Sequence, residues 1–206
     1  MTLTPRVILR VKTRRKSKYK RPMIVEKGFC ILLQRVREEK RSTKDFSRTV
    51  GNYKCYWNGA ELPGLSGQIV ERGGPGDNTA ALGKRKRLRI REGAYRLCIQ
   101  DGPRYKTFGY SPGATLPKPG ILLDDTGKRD AILIHPGFDY VSSIGCLNPG
   151  RGLKDADSRL EFKDSRARVI AFIEAMKANL GAKFPARGGA VIPNAVIVIH
   201  GEPVGT

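Results

Sequence analysis

The sequence predicts a mainly β fold, built as a β-sandwich or a mixed sheet, with one substantial helix over residues 164–180. The 206 residues include 24 glycines and 13 prolines, which suits many short strands and turns better than a helical bundle. Short apolar runs separated by turn residues recur from residue 50 onward. Helical spacing of apolar residues is clear in a single segment.

The first 41 residues carry much of the positive charge, because they hold 14 Lys/Arg and 3 Asp/Glu, a net +11 of the chain's +20. We interpret residues 1–49 as a basic arm with a polar linker and residues 50–206 as one compact domain. Residues 28–36 fit a short helix or a buried strand equally well. Such a field attracts polyanions, which include nucleic acid, anionic lipid head groups and an acidic cell wall, without choosing among them. A solvated arm that only aids solubility is the alternative.

The strand signals follow one another through the domain. Asn58-Gly59 lies between two strand-like runs and predicts a hairpin, because a type I′ turn needs positive φ at both central residues. Further strands are predicted at residues 68–71, 88–90, 94–99, 121–123, 131–134 and 195–199. The strand at 131–134 is the most apolar and delivers His135 at its end, whereas the last strand ends at His200.

The predicted helix begins at an N-cap, either Asp164 or Ser165, and is followed by Gly181 as the C-terminal αL residue. An apolar stripe at helical spacing is expected to face the core: Val169, Ile170, Phe172, Ile173, Met176 and Leu180.

The cysteine and histidine content predicts neither a metal site nor a cofactor. The four cysteines are 25, 43 and 48 residues apart, so none forms the Cys-x-x-Cys pair of zinc and iron–sulfur sites. Cys30 and Cys98 lie in apolar runs, as buried thiols usually do. Cys146 instead follows a glycine in a turn-rich loop.

Cys146 and His135 together predict nucleophilic catalysis. A thiol reacts as the thiolate and needs a neighbouring base, while its acyl intermediate needs backbone N–H donors. His135 ends an apolar strand, and Cys146 follows 11 residues later, behind Gly145, which lets the backbone bend toward a substrate. A histidine at a sheet rim and a packed cysteine are the alternatives.

These residues also carry a resemblance. Residues 143–148, Ser-Ile-Gly-Cys-Leu-Asn, resemble the Ser-His-Gly-Cys signature of the L,D-transpeptidases, with an apolar residue and then Asn or Arg after the cysteine. Residues 132–137 resemble the strand that carries the catalytic histidine in that family. Residues 91–95 resemble a strand that comes earlier in the same domains. Ile144 stands where the family has a histidine, and the interval from His135 to Cys146 is shorter.

The resemblance implies an L,D-transpeptidase-like catalytic domain that acts on peptidoglycan stem peptides through a Cys146 thioester. His135 would be the base, the carbonyl of Pro136 would hold its tautomer, and the amides of Gly145 and Cys146 would stabilise the oxyanion. The acceptor would be an amine or water, which leaves transpeptidase and L,D-carboxypeptidase activity both open.

Several residues are candidates for binding the substrate. Arg129 is expected to hold a stem-peptide carboxylate in bidentate fashion, with a solvated arginine as the alternative. The other candidates are Ser143, Asn148, Tyr95, Glu71 and Arg72. His200 is a reserve base in case His135 is misplaced.

Partners and localisation follow from the same resemblance. No run of residues is apolar enough to predict a membrane span, and no signal peptide is recognised. Divergent family members serve as antibacterial effectors, which implies delivery by a secretion system, action in the periplasm and an inhibitory immunity protein. Two other functions stay open: nucleic-acid binding through the basic arm, and peptidoglycan binding without catalysis.

Overall fold

The structure, a computed structural model, describes residues 26–79 and 88–203. The prediction of a mainly β fold with a large mixed sheet and one substantial helix is confirmed. Across these residues the strands are β1 Phe29–Lys40, β2 Ser47–Trp57, β3 Ala60–Arg72, β4 Gly93–Ile99, β5 Tyr105–Lys106, β6 Lys118–Pro119, β7 Ile121–Leu123, β8 Leu133–Ile134, β9 Asn148–Gly150 and β10 Val191–His200.

Eight of these strands form one sheet in the order β8-β7-β4-β10-β1-β2-β3-β9. The pair β1 and β10 is parallel and the other pairs are antiparallel, so the sheet is mixed. Strands β5 and β6 form a separate parallel pair. The predicted hairpin at Asn58-Gly59 is confirmed, because it joins β2 to β3 with φ angles of 49° and 81°.

The two edges of the sheet meet at Leu147. Its N–H donates to the carbonyl of Leu133 at 2.8 Å, and its carbonyl accepts from the N–H of His135 at 3.0 Å. Since the next residue begins β9 on the opposite edge, this segment closes the sheet into a ring. We call the junction of β8 with residues 146–148 the seam.

Strand β1 corrects the predicted domain boundary at residue 50. It lies inside the sheet between β10 and β2, and its side chains Phe29, Ile31 and Leu33 are fully buried. The polar stretch after them continues the strand as far as Lys40 because its backbone pairs with β2. The predicted arm over residues 1–25 lies outside the described residues.

The helix α1 spans Phe162–Leu180 and is followed by a 3₁₀ turn at Gly181–Lys183. The predicted N-cap is wrong: Glu161 occupies that position without a side-chain cap, and Asp164 lies in the first turn. Gly181 ends the helix with the positive φ of an αL residue, 54°, but its ψ of −129° lies outside the predicted αL region. Within the described residues, no helix is long and apolar enough to cross a membrane.

The stripe of α1 packs into the core formed by the sheet. Four of its six predicted members are fully buried, whereas Ile170 and Leu180 are partly exposed. Two predicted strands differ from the structure: residues 88–90 form no strand, and the segment at 131–134 shortens to β8. Ala131 has a φ of 54°, which interrupts the strand ahead of β8.

Candidate active site

The seam brings Cys146 and His135 to one face of the sheet. Ile134 and Leu147 are parallel bridge partners, and both side chains are buried in the core. His135 follows Ile134 and Cys146 precedes Leu147, so the alternation of side chains along a strand turns both away from the core. Two residues 11 positions apart in sequence thus lie on the same face of the seam through a single pair of backbone hydrogen bonds.

Cys146 differs from the other three cysteines in exposure. All four are free thiols, but Cys30, Cys55 and Cys98 are buried and Cys146 is partly exposed. Burial raises the pKa of Cys55 and of Cys98, which keeps both protonated. The sulfur of Cys146 lies 3.4 Å from the N–H of Leu133, a donor that stabilises a thiolate.

His135 is held by its ring nitrogen Nδ1. This atom lies 2.9 Å from the carbonyl oxygen of Pro136, the contact that the resemblance predicts. Because a carbonyl only accepts, Nδ1 carries the hydrogen and Nε2 keeps its lone pair. The side-chain amide of Asn148 donates to the carbonyl of His135 at 3.0 Å and fixes the backbone of the same residue.

The imidazole of His135 is neutral at pH 7. Its side chain is 3% exposed, and this burial lowers its pKa to about 4, against the opposing effect of the hydrogen bond to Pro136. The positive charge of Lys118 lowers the pKa further. His135 is therefore free to accept a proton at Nε2, but as a weak base it does not form a standing ion pair with a thiolate.

Tyr105 covers the imidazole and was not found from the sequence. Its ring centroid lies 4.5 Å from that of His135, at an interplanar angle of 35°. Burial raises the pKa of Tyr105, and the nearby charge of Cys146 raises it further. Tyr105 therefore links the two candidate residues. Its strand, β5, has only two residues, which is too short for a periodic pattern.

Arg129 is buried and holds the backbone before Cys146, which corrects its predicted role in substrate binding. The residue is 4% exposed, and its Nη1 donates to the carbonyls of Leu88 and Arg89 at 2.7 and 3.0 Å. Its Nη2 donates to the carbonyl of Ile144 at 3.2 Å. The guanidinium thus fixes the loop that carries the cysteine.

Gly145 is required by this arrangement. A Cβ at that position would lie 1.8 Å from Nη2 of Arg129. The hydroxyl of Ser143 donates to the carbonyl of Cys146 at 2.7 Å and closes the turn. Ser143 and Asn148 were predicted to bind substrate, but Ser143 bonds to the loop backbone, and the side-chain amide of the fully buried Asn148 lies 3.0 Å from the carbonyl and 3.3 Å from Nδ1 of His135.

Three other predicted substrate-binding residues belong to the interior. Glu71 is 1% exposed and forms an ion pair with Arg35, with both contacts at 2.8 Å. The guanidinium of Arg72 lies 3.3 Å from the ring centroid of Phe46. Tyr95 is buried in the core, and its hydroxyl donates to a main-chain carbonyl at 2.6 Å. Burial rather than loop composition decides these roles.

The reserve base and metal binding receive no support from the geometry. His200 ends β10 beside Gln34, with Nδ1 3.6 Å from the carboxylate of Glu92. In the described ranges, no three His, Cys, Asp or Glu side chains cluster so as to hold a metal ion.

Comparison with known proteins gives no relative for this chain: no family model, no curated protein and no solved structure matches it. The likeness to L,D-transpeptidases rests on the motif residues around Cys146 and His135. It stays a prediction.

Proposed function

We propose that the protein catalyses cysteine-dependent acyl transfer or peptide cleavage on peptidoglycan tetrapeptide stems, with Cys146 as the nucleophile. The observation that carries the proposal is the meeting, at the seam, of a partly exposed thiol and a histidine whose Nδ1 is bound to Pro136. The lone pair of Nε2 is left for proton transfer. The substrate class is carried by the motif resemblance.

The reaction proceeds through a thioester. Nε2 of His135 accepts the thiol proton as the sulfur of Cys146 attacks a stem-peptide carbonyl, and the amides of Gly145 and Cys146 donate to the developing oxyanion. The C–N bond then breaks, and the leaving amine takes the proton from the imidazolium. Attack on the thioester by water or by a second amine releases the acyl group and restores the thiol.

The low pKa of His135 favours the transfer of the proton from the imidazolium to the leaving amine. Burial makes the imidazolium a strong acid, with a pKa of about 4. An acid of this strength readily protonates the amine as it leaves, and the neutral form returns at once. The same burial excludes water from the imidazole, which strengthens its hydrogen bond to Pro136.

The loop between the two residues is the expected contact surface for the substrate. Phe138 and Ile144 lie on its two arms and are 65% and 45% exposed. Exposed apolar side chains of this size are suited to contact the alkyl parts of a stem peptide. Ile144 takes the position of the family's motif histidine, so this part of the surface is apolar rather than polar.

The proposal is tested by incubating the protein with purified muropeptides and weighing the products by mass spectrometry. We expect loss of the terminal D-residue for hydrolysis, or an exchanged or cross-linked product for transfer. Cys146→Ala should lower the rate by at least roughly a thousandfold, because the thioester cannot form. Cys98→Ala, which removes a buried thiol in β4, is the matched control and should stay active.

Two results would overturn the proposal. One is equal product formation by the wild type and Cys146→Ala. The other is a Cys146 thiol that iodoacetamide alkylates no faster than it alkylates Cys98 in the native protein. Binding of the wild type to peptidoglycan without any product would instead identify a binder that does not catalyse.

A further inference from the structure

Two cations lie beside the candidate site on the small sheet of β5 and β6. Lys118 is the register partner of Tyr105, and its N–H donates to the carbonyl of Arg104 at 2.9 Å. Side chains of register partners in a parallel pair share a face, so Lys118 lies next to the ring that covers His135. Its ammonium lies 5.0 Å from the ring centroid of Phe162.

Within residues 26–79 and 88–203, neither cation has a carboxylate partner. Among the residues that the structure describes, Lys118 and Arg104 form no salt bridge, although Arg104 is exposed and Lys118 is partly buried. Arg35 and Arg89, by contrast, are each matched by two carboxylates. A partly buried ammonium beside an aromatic ring and an apolar site attracts an anion more strongly than a solvated one.

We propose that Lys118, with Arg104 beside it, forms an anion subsite that binds a carboxylate of the substrate close to the bond that Cys146 attacks. The subsite selects acyl donors with a free carboxylate near the scissile carbonyl over uncharged internal peptide bonds. This inference rests on the proposed function, since it names a substrate feature that the same site recognises.

Occupation of the subsite also acts on the base. The charge of Lys118 lowers the pKa of His135 in the free protein. A bound carboxylate compensates that charge, so the imidazole becomes a better proton acceptor when an acidic substrate is in place. Substrates without a carboxylate lose both the attraction and this effect.

The subsite is tested with two small electrophiles that differ in charge. Iodoacetate carries a carboxylate and iodoacetamide is neutral, and both alkylate the sulfur of Cys146 with loss of iodide. The ratio of their rates at Cys146, followed by peptide mass spectrometry, reports the local attraction for a carboxylate. Lys118→Met removes the charge but keeps the apolar stem over Phe162. Arg104→Gln tests the exposed neighbour.

We expect Lys118→Met to lower the iodoacetate-to-iodoacetamide ratio by about three- to tenfold at low salt, and Arg104→Gln to lower it less. Lys54→Gln is the matched control, because it removes the same charge from the β2–β3 hairpin and should leave the ratio unchanged. Circular dichroism checks that each variant is folded.

The outcomes separate this inference from the proposed function. An unchanged ratio in folded Lys118→Met and Arg104→Gln overturns the subsite, as does an equal fall in Lys54→Gln, which would assign the effect to the overall charge. The iodoacetamide rate itself tests the reactive thiol: if Cys146 reacts no faster than Cys98, the proposed function fails whatever the ratio.

Discussion

Cationic side chains are paired differently in two regions of the molecule: the interior formed by β1, β2 and β3, and the surface around the seam. In the interior, fully or nearly fully buried arginines are matched by carboxylates: Arg35 by Glu71 at 2.8 Å and Arg89 by Glu38 at 2.6 Å. At the seam, Lys118 has no such partner among the described residues.

The interior pairs are linked into one network by Glu202. Its carboxylate contacts Nη1 of Arg35 at 2.7 Å and Nη2 of Arg89 at 2.8 Å. Burial lowers the pKa of Arg35 while Glu71 and Glu202 raise it, and the net direction is upward. The attraction of the two carboxylates therefore exceeds the cost of removing the guanidinium from water. The buried charge of Arg35 depends on these carboxylates.

The comparison separates side chains that hold the fold from side chains with capacity left for a ligand. Glu71, Arg72, Arg129 and Tyr95 have the residue types of a binding site, yet their described contacts are internal. Cys146 is partly exposed, and His135 keeps a lone pair on Nε2. The candidate site is therefore distinguished by side chains that can still bind a ligand, more than by the types of its residues.

The largest effect is expected for Glu71→Gln. The substitution leaves the guanidinium of Arg35 buried with one of its two carboxylates gone, so the free energy of unfolding should fall by about 3–5 kcal/mol. Urea denaturation measures the change. The control is Glu61→Gln, which breaks an exposed pair with Lys54 and should leave the midpoint almost unchanged.

The same pair tests the comparison through activity. Where Glu71→Gln remains folded, alkylation of Cys146 by iodoacetamide should keep its wild-type rate, since Glu71 belongs to the interior network. If Cys146 of Glu71→Gln reacts more slowly while the stability is unchanged, Glu71 contributes to the candidate site. The distinction between the two regions would then be wrong.

A second effect concerns His135 and pH. Its pKa is about 4 in the folded protein and near 6.5 when unfolded, so the unfolded chain binds the extra proton between these values. The stability from this group is fully present above pH 6.5 and is lost as the pH falls toward 4, by roughly 3 kcal/mol.

His135→Gln should not show this loss of stability at low pH. Urea denaturation at pH 7 and pH 4 should show a smaller difference for His135→Gln than for the wild type, by roughly the same 3 kcal/mol. His200→Gln, which removes the other histidine, is the control for the loss of an imidazole. Equal pH dependence in His135→Gln and the wild type would mean that His135 is not buried in its neutral form.

Local patterns were sufficient for part of the fold. The Asn58-Gly59 turn and the core-facing stripe of α1 depend on neighbouring residues and were predicted, although two of the six stripe residues are partly exposed. Gly181 at the helix end has the predicted positive φ but not the ψ of an αL residue. The helix start was wrong because Ser165 does not cap it; its hydroxyl accepts from the N–H of Gly137 at 2.7 Å. A contact across 28 residues leaves no mark in a local pattern.

Long-range pairing explains the remaining errors. Residues 37–49 look like a polar linker because their partners, such as Arg89 for Glu38 and Asp139 for Arg41, are distant in sequence. The closure of the sheet at Leu147 and the position of Tyr105 over His135 depend on the same kind of contact. The sequence could therefore indicate the two chemical groups but not the cations and rings around them.

Gly145 gives the smallest effect and joins the two regions of the comparison. A Cβ at this residue would lie 1.8 Å from Nη2 of Arg129, whose guanidinium is held by several backbone carbonyls and cannot easily move. Gly145→Ala should therefore lower the free energy of unfolding by about 1–3 kcal/mol and slow alkylation of Cys146 by iodoacetamide.

Gly152→Ala is the control for this substitution, since no atom lies within 4 Å of a Cβ there. Its φ of 71° limits the expected cost to about 1 kcal/mol, with no effect on Cys146. If Gly145→Ala destabilises the protein while Cys146 reacts at its wild-type rate, the buried guanidinium holds only the fold. If both quantities fall together, Arg129 positions the thiol by holding the backbone that carries it.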